Sequence, residues 1–337
     1  MSDLFEQHGG EDAIATPNLI TLLSIAIGFG LSACGTARIH RLRPWENAFV
    51  RDPELRLISA NGHQLAVWDW PGDDPPFLFA HATGFHGRCW DRIIRMFPGR
   101  HSIAIDARGH GRSSKPEPPC RWRDFGHDLA AVAERLNVRS AVGIGHSSGG
   151  HMTVQAAALR PETYAALLLL DPTIYPRDEY GTAGPDGSFT LRRRERWDSA
   201  DEMFERFRSR HPFNLWQPGI LRDYCDYGIL PDGSGYLLAC PPPVEASIYE
   251  TSKTPDSDLY PEIAAIRQAV VVMRGGVVRV PGTFDLAASP TAPDLASKFA
   301  QGRDILLPGC SHYIPMEVPD RVAEEISRLA ERSPKGA

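Results

Sequence analysis

Residues 141–149 read Ala141-Val142-Gly143-Ile144-Gly145-His146-Ser147-Ser148-Gly149, and a helical pattern follows as far as the break at Pro161. A short apolar run bounded by turn residues suits a strand buried on both faces of a parallel sheet. Ser147 then stands between strand and helix inside a GxSxG frame. A sharp strand-to-helix turn crowds its neighbours, so small residues at 145 and 149 relieve the contact. The helix N-terminus behind the serine favours negative charge developing there. GxSxG alone is a weak signal; the strand before it and the helix after it make it specific. The competing reading is a glycine-rich turn with a merely satisfied hydroxyl.

The same alternation extends outward from this stretch. Residues 55–58 and 65–70 flank Asn61-Gly62, the turn dipeptide of a hairpin. Apolar runs follow at 77–80, 102–105, 141–144, 166–170 and 269–273. Between them lie helical segments, one with apolar positions at Leu129, Val132 and Leu136. A terminal helix shows Val322, Ile326 and Leu329. This order predicts a doubly wound, mostly parallel α/β sheet. The alternation breaks once. Residues 177–265 begin helical and polar, with a capping box at Ser199 and Glu202, and become turn-rich around Pro231-Asp232-Gly233. An insertion of this size predicts a helical lid over the strands' C-terminal ends, where open α/β sheets place their sites. The core is then 51–176 plus 266–335, with 1–50 as an N-terminal extension. The run Arg192-Arg193-Arg194-Glu195-Arg196 reads first as a solvated helix face, and second as a dock for an anionic substrate or membrane.

Four further segments accompany GxSxG: His81-Ala82-Thr83-Gly84-Phe85 with Trp90; Asp106-Ala107-Arg108-Gly109-His110-Gly111-Arg112-Ser113; Asp171-Pro172 after an apolar run; and Gly309-Cys310-Ser311-His312 followed by Pro315, Glu317 and Pro319. Together they resemble a lidded serine member of the α/β-hydrolase superfamily across residues 54–331. The resemblance implies that Ser147 attacks a carbonyl and His312 takes its proton. The backbone N–H groups of Thr83 and Ser148 would hold the oxyanion. His81, His146 and Asp106 read as scaffold. The triad acid is the point of departure: Val277, Val278 and Arg279 stand where the family's acid usually follows the strand after the lid. Asp285 is the expected acid, ahead of a helical stretch through Leu295 and Phe299, a strand at 305–307, and His312. Asp171, at the end of the strand before the lid, is the alternative.

A serine in the frame argues against the aspartate-nucleophile branches, epoxide hydrolases and dehalogenases. The leading expectation is hydrolysis of an ester or related acyl bond of a small molecule. Carbon–carbon bond hydrolase, lactonase, perhydrolase and a non-catalytic ligand-binding homologue stay open. No metal or organic cofactor is implied. Oligomeric state is not legible.

Bulk composition fits an ordinary folded protein of 337 residues, 42% hydrophobic and 23% charged. The net charge of −6, without a basic stripe interleaved with aromatics, argues against nucleic acid as a partner. Six scattered cysteines form no metal-binding spacing. They read as buried thiols, with a Cys225–Cys240 bridge as the alternative. Residues 19–34 are apolar and uncharged, and Leu31-Ser32-Ala33-Cys34 before Gly35 resembles a bacterial lipoprotein cleavage box that would lipidate Cys34 and attach the protein to a membrane. Against it, the first eighteen residues carry Asp3, Glu6, Glu11 and Asp12 but no Lys or Arg, whereas Arg38, Arg41 and Arg43 follow. That charge order favours a cytoplasmic domain behind a signal anchor. A mis-assigned start is the third reading.

Overall fold

The computed structural model describes residues 51–280 and 285–332. Cys34 and the rest of the N-terminal extension lie outside them. The strands are β1 (Glu54–Ala60), β2 (His63–Trp70), β3 (Asp73–Ala80), β4 (Arg100–Ile105), β5 (Ala141–His146), β6 (Tyr164–Leu170), β7 (Arg196–Trp197), β8 (Ile229–Asp232), β9 (Gly235–Leu238), β10 (Ala269–Gly275) and β11 (Gly302–Leu307). Eight of them form one sheet in the order β1-β2-β4-β3-β5-β6-β10-β11. β2 pairs antiparallel with β1 and with β4, and every later pair is parallel. The β1–β2 hairpin turns at Asn61 and Gly62, both at positive φ, as a two-residue turn that follows the sheet's twist requires.

Helices cover both faces, and their sequences show why. The main ones are α1 (Trp122–Arg135), α2 (Ser148–Leu159), α3 (Ala200–Phe207), α4 (Pro218–Tyr227), α5 (Pro242–Glu250) and α6 (Pro319–Arg332). On one face, Leu65, Val67, Leu78, Ile103, Leu167 and Val272 pack against Leu129 and Val132 of α1 and Met152 and Val154 of α2. On the other, Phe77, Phe79, Ile144, Leu168, Val271 and Met273 meet Val322, Ile326 and Leu329 of α6. Alternate residues of a strand point to opposite faces, so Leu167 and Leu168 serve different layers. That explains the unbroken apolar runs: both faces of the sheet are dry.

The segment between β6 and β10 is less purely helical than its sequence predicts. Ser199 does cap α3, accepting from the Glu202 N–H. From either side of α3 and α4, β7, β9 and β8 come together in a small antiparallel sheet whose hairpin turns at Gly233. A third apolar cluster joins this insertion to the core. Trp197, Met203, Trp216, Leu221 and Tyr224 pack with Ala82 and Phe85 of the loop after β3 and with Tyr313 beside His312. Cys89, Cys120, Cys225, Cys240 and Cys310 are free, buried thiols, so the Cys225–Cys240 bridge is absent. No helix among the described residues is long and apolar enough to cross a membrane.

Candidate active site

Ser147 occupies the turn from β5 into α2 with φ 57° and ψ −122°. A non-glycine residue at positive φ is strained and persists only where its surroundings enforce it. Here the enforcement is backbone: the Ser147 N–H donates to Leu170 O at 3.0 Å, and its carbonyl accepts from Thr173 N–H at 3.0 Å. Glycines at 145 and 149 are sterically required. A Cβ on Gly149 would lie 2.2 Å from Ala80 O, and one on Gly145 would lie 2.4 Å from Gly149 O. The turn holds the Ser147 hydroxyl at the N-terminus of α2, where the helix dipole favours negative charge.

His312 Nε2 lies 2.9 Å from Ser147 Oγ, and His312 Nδ1 lies 2.7 Å from Asp171 Oδ2. Asp171 is fully buried. Its other carboxylate oxygen accepts from Gly275 N–H (3.0 Å), Ser289 Oγ (2.7 Å) and Thr291 Oγ1 (3.3 Å). A buried carboxylate oxygen needs such a set of hydrogen-bond partners to offset its lost hydration. The His312 backbone is fixed as well. Its N–H donates to Ala287 O at 2.8 Å, and its carbonyl lies 2.9 Å from His146 Nε2. Burial, with the His312 ring as a neighbour, pushes His146 well below the ordinary histidine range, so it is a neutral donor to that carbonyl.

The expectation that Asp285 pairs with His312 is corrected by this geometry. Asp285 is about half exposed, lies 3.9 Å from His211 Nε2, and accepts from the N–H of Ala287 in its own turn. Asp171 already fills Nδ1 of His312, from the C-terminal end of a strand adjacent to β10. The segment through Leu295 and Phe299 also differs: only a short 3-10 turn, Leu295–Lys298, forms there. Pro290 and Pro293 punctuate its approach, and each removes a backbone donor.

Thr83, in the loop after β3, and Ser148, the first residue of α2, face one another, with Thr83 Oγ1 donating to Ser148 Oγ at 3.0 Å. The loop is steadied by His81. Its Nδ1–H donates to Ala82 O at 2.8 Å, and its Nε2 accepts the Ala107 N–H at 3.0 Å. Asp106 holds its own turn, accepting from the N–H groups of Gly87 and Arg112 and from the Trp68 indole. Thr173 was not singled out by the sequence. Its hydroxyl lies 3.1 Å from Ser147 Oγ. The residue follows Asp171-Pro172 by one position, and only the register of β6 beside β5 brings it there.

Ser147, Thr173 and His312 open into a cavity of about 470 Å³, whose walls include Phe85, Tyr175, Tyr249, Leu286 and Tyr313. Lys253 and Arg279 lie in its wall and share Glu179, at 2.8 Å and 2.6 Å. Among the described residues no three His, Cys, Asp or Glu side chains are grouped to hold a metal ion.

A strand-borne serine on a strained turn, a histidine beyond the last strand and a parallel sheet with an insertion after β6 define an α/β hydrolase. The chain belongs to the alpha/beta hydrolase family, whose model matches residues 77–325. It is similar to 2-(acetamidomethylene)succinate hydrolase of Mesorhizobium japonicum, 26% identical over 266 residues, spanning 77% of this chain and 88% of that one. A bifunctional esterase/perhydrolase of Acinetobacter calcoaceticus is 34% identical over 134 residues, 39% of this chain and 49% of its own length. Among solved structures, the crystal structure of E-2-(acetamidomethylene)succinate hydrolase superposes with a TM-score of 0.67 at 21% identity, covering 83% and 99% of the two chains.

Proposed function

We propose that this hydrolase cleaves a carboxylic ester or related acyl bond through an acyl-serine intermediate. The observation that carries the reading is the continuous line of Asp171, His312 and Ser147, with contacts of 2.7 Å and 2.9 Å. Each link has a defined role. Asp171 accepts from Nδ1–H, which leaves the Nε2 lone pair facing Ser147 and stabilises the ring once it is protonated. Ser147 Oγ attacks the acyl carbon as His312 Nε2 takes its proton. The proton passes to the leaving group, and the acyl-serine is then hydrolysed by water activated at the same nitrogen.

The N–H groups of Thr83 and Ser148 are the oxyanion donors in this reading, each worth about 10²–10³ in rate. The Thr83–Ser148 hydroxyl contact supports it, because it ties the loop after β3 to the first turn of α2, the two places that carry those N–H groups. The insertion between β6 and β10 acts as the lid, with Ala183, Gly184, Pro185, Tyr249 and Lys253 forming cavity wall. The similarity to an esterase/perhydrolase is consistent with acyl transfer to water.

The test combines p-nitrophenyl acetate turnover with a fluorophosphonate label. Turnover together with labelling at Ser147 is expected. Neither turnover nor label on the folded protein would replace this reading with that of a ligand-binding homologue.

A further inference from the structure

The arginine run singled out in the sequence faces a cavity. A second space of about 300 Å³ adjoins the first along Thr83, Phe85, Tyr249, Leu286 and Tyr313. Its lining includes five guanidinium groups, those of Arg192, Arg193, Arg194, Arg206 and Arg210, but only one carboxylate, Glu245. Arg193 is spoken for: it pairs with Glu245 and donates to Tyr224 Oη at 3.1 Å. Arg194 is bound through both nitrogens by Glu202 and lies over the Trp197 ring. Among the described residues, Arg192 donates to the Ser188 hydroxyl, at 3.3 Å. Arg206 and Arg210 have no carboxylate within ion-pair distance among the described residues.

This pattern differs from an ordinary solvated face. Of the arginines of the same insertion that point elsewhere, Arg196 pairs with Asp232, Arg208 with Glu205, and Arg222 with both Asp201 and Asp226, while Arg177 lies over the Tyr260 ring. Arg192, Arg206 and Arg210, which form no ion pair among the described residues, line the cavity, although Arg192 and Arg206 also act on the Asp186 and Glu202 carboxylates. Its remaining wall is aromatic, with Phe207 stacked on Phe213 at 4.4 Å between ring centroids and Trp216 and Tyr224 beside them. A guanidinium recognises phosphate through paired N–H donors, and an aromatic wall accepts the flat or apolar part of the same molecule.

We propose that this second cavity binds the leaving group of the substrate, and that the leaving group is a phosphate-bearing thiol, so that the enzyme acts on an acyl thioester of a phosphorylated carrier. The inference rests on the acyl-hydrolase reading of Ser147 and names its substrate class. The bond from Ser147 Oγ to the acyl carbon forms as the carbon–sulfur bond breaks. The Ser147 proton reaches the departing sulfur through His312, and one water later completes the acid. Position favours a substrate over a lipid surface, because the cavity that the arginines line shares Thr83, Phe85, Tyr249, Leu286 and Tyr313 with the one that Ser147 and His312 open into.

The experiment compares acetyl-coenzyme A with the acetyl thioester of N-acetylcysteamine, which has the same reacting bond and no phosphate. Hydrogen bonds to charged groups are worth about tenfold or more each, so a preference in kcat/KM on the order of 10² for the phosphorylated thioester is expected, expressed mainly in KM. It should shrink as salt is raised. The triple variant Arg192→Gln, Arg206→Gln, Arg210→Gln should bring the ratio close to one, whereas Arg196→Gln, outside the cavity, removes one charge and leaves the ratio unchanged. The three substituted side chains are exposed. Should the triple variant nevertheless misfold, the salt dependence of the wild-type ratio decides. Equal kcat/KM for the two thioesters, with p-nitrophenyl acetate still cleaved, would overturn this inference alone. No turnover of any of the three and no labelling of Ser147 would overturn the hydrolase reading beneath it. Flotation with phosphatidylglycerol vesicles, lost in the triple variant while the thioesters remain equal, would assign the arginines to a membrane instead.

Discussion

Thr173 is tied to Ser147 twice: its N–H donates to the Ser147 carbonyl at 3.0 Å, and its hydroxyl lies 3.1 Å from Ser147 Oγ. With the Ser147 proton directed at His312, the Thr173 hydroxyl is the donor and Ser147 Oγ the acceptor. That bond strengthens as Oγ gains charge. Thr173→Val should therefore lower kcat by roughly 3–10-fold with little change in KM, the worth of one neutral hydrogen bond. Thr173→Ser should restore it. A Val variant with unchanged kcat would show that the contact is only packing.

Asp171 and Asp285 separate cleanly in a paired test. Asp171→Asn should cost about 10⁴ in turnover, as loss of the tautomer-fixing acid does in serine triads. Asp285→Asn, a half-exposed rim position, should stay within a few-fold of the parent. Turnover at matched folded fraction checks both, and loss in Asp285→Asn alone would reverse the assignment.

Two adjacent serines make the nucleophile testable. Ser147→Ala should lose about 10⁴–10⁶ in turnover. Ser148→Ala keeps the backbone N–H and loses only the contact with Thr83, so a decrease of roughly tenfold or less is expected. Activity near the parent level in folded Ser147→Ala would remove Ser147 from the chemistry.

Burial in α4 and the neighbouring Asp91 carboxylate push Asp223 up to about 7, with Arg95 and Arg88 opposing. The folded state thus favours the neutral acid. Its contribution to stability is full below the unfolded pKa near 4, declines as pH rises toward 7, and is flat above. Asp223→Asn removes that decline. The variant should match the parent near pH 4 and exceed it at pH 8 by on the order of 2–4 kcal/mol. Urea midpoints at pH 5 and pH 8 check this; a constant difference would contradict it.

The positions of Ser147 and His312 were legible because each sits in a local pattern, a strand-to-helix turn and a short loop after the last strand. The partner of His312 was not. Asp171 and Asp285 both follow core strands that are neighbours in the sheet, and only packing decides which carboxylate meets Nδ1. The deciding contacts, Gly275, Ser289 and Thr291 on Asp171, come from residues more than a hundred positions away. Thr173 was silent for the same reason. The small sheet of the insertion was missed because β7 is two residues long, too short to show alternation.

Because the carboxylate facing His312 follows β6, the described residues after β10 serve that contact from outside: the Ser289 N–H donates to Val277 O at 2.8 Å, and Arg279 pairs with Glu179 of the insertion. Arg279, Asp285 and Leu286 lie between Val277 and Ser289 and form cavity wall. Loop-closure entropy grows only slowly with length, roughly 0.6 kcal/mol for each doubling. Length and sequence can therefore vary on the Arg279 side of this loop with no change to the Asp171–His312 contact, whereas Ala287 and Ser289, which hold His312 and Asp171, are not free to change. A carboxylate placed on the loop itself would have tied reactivity to every such change.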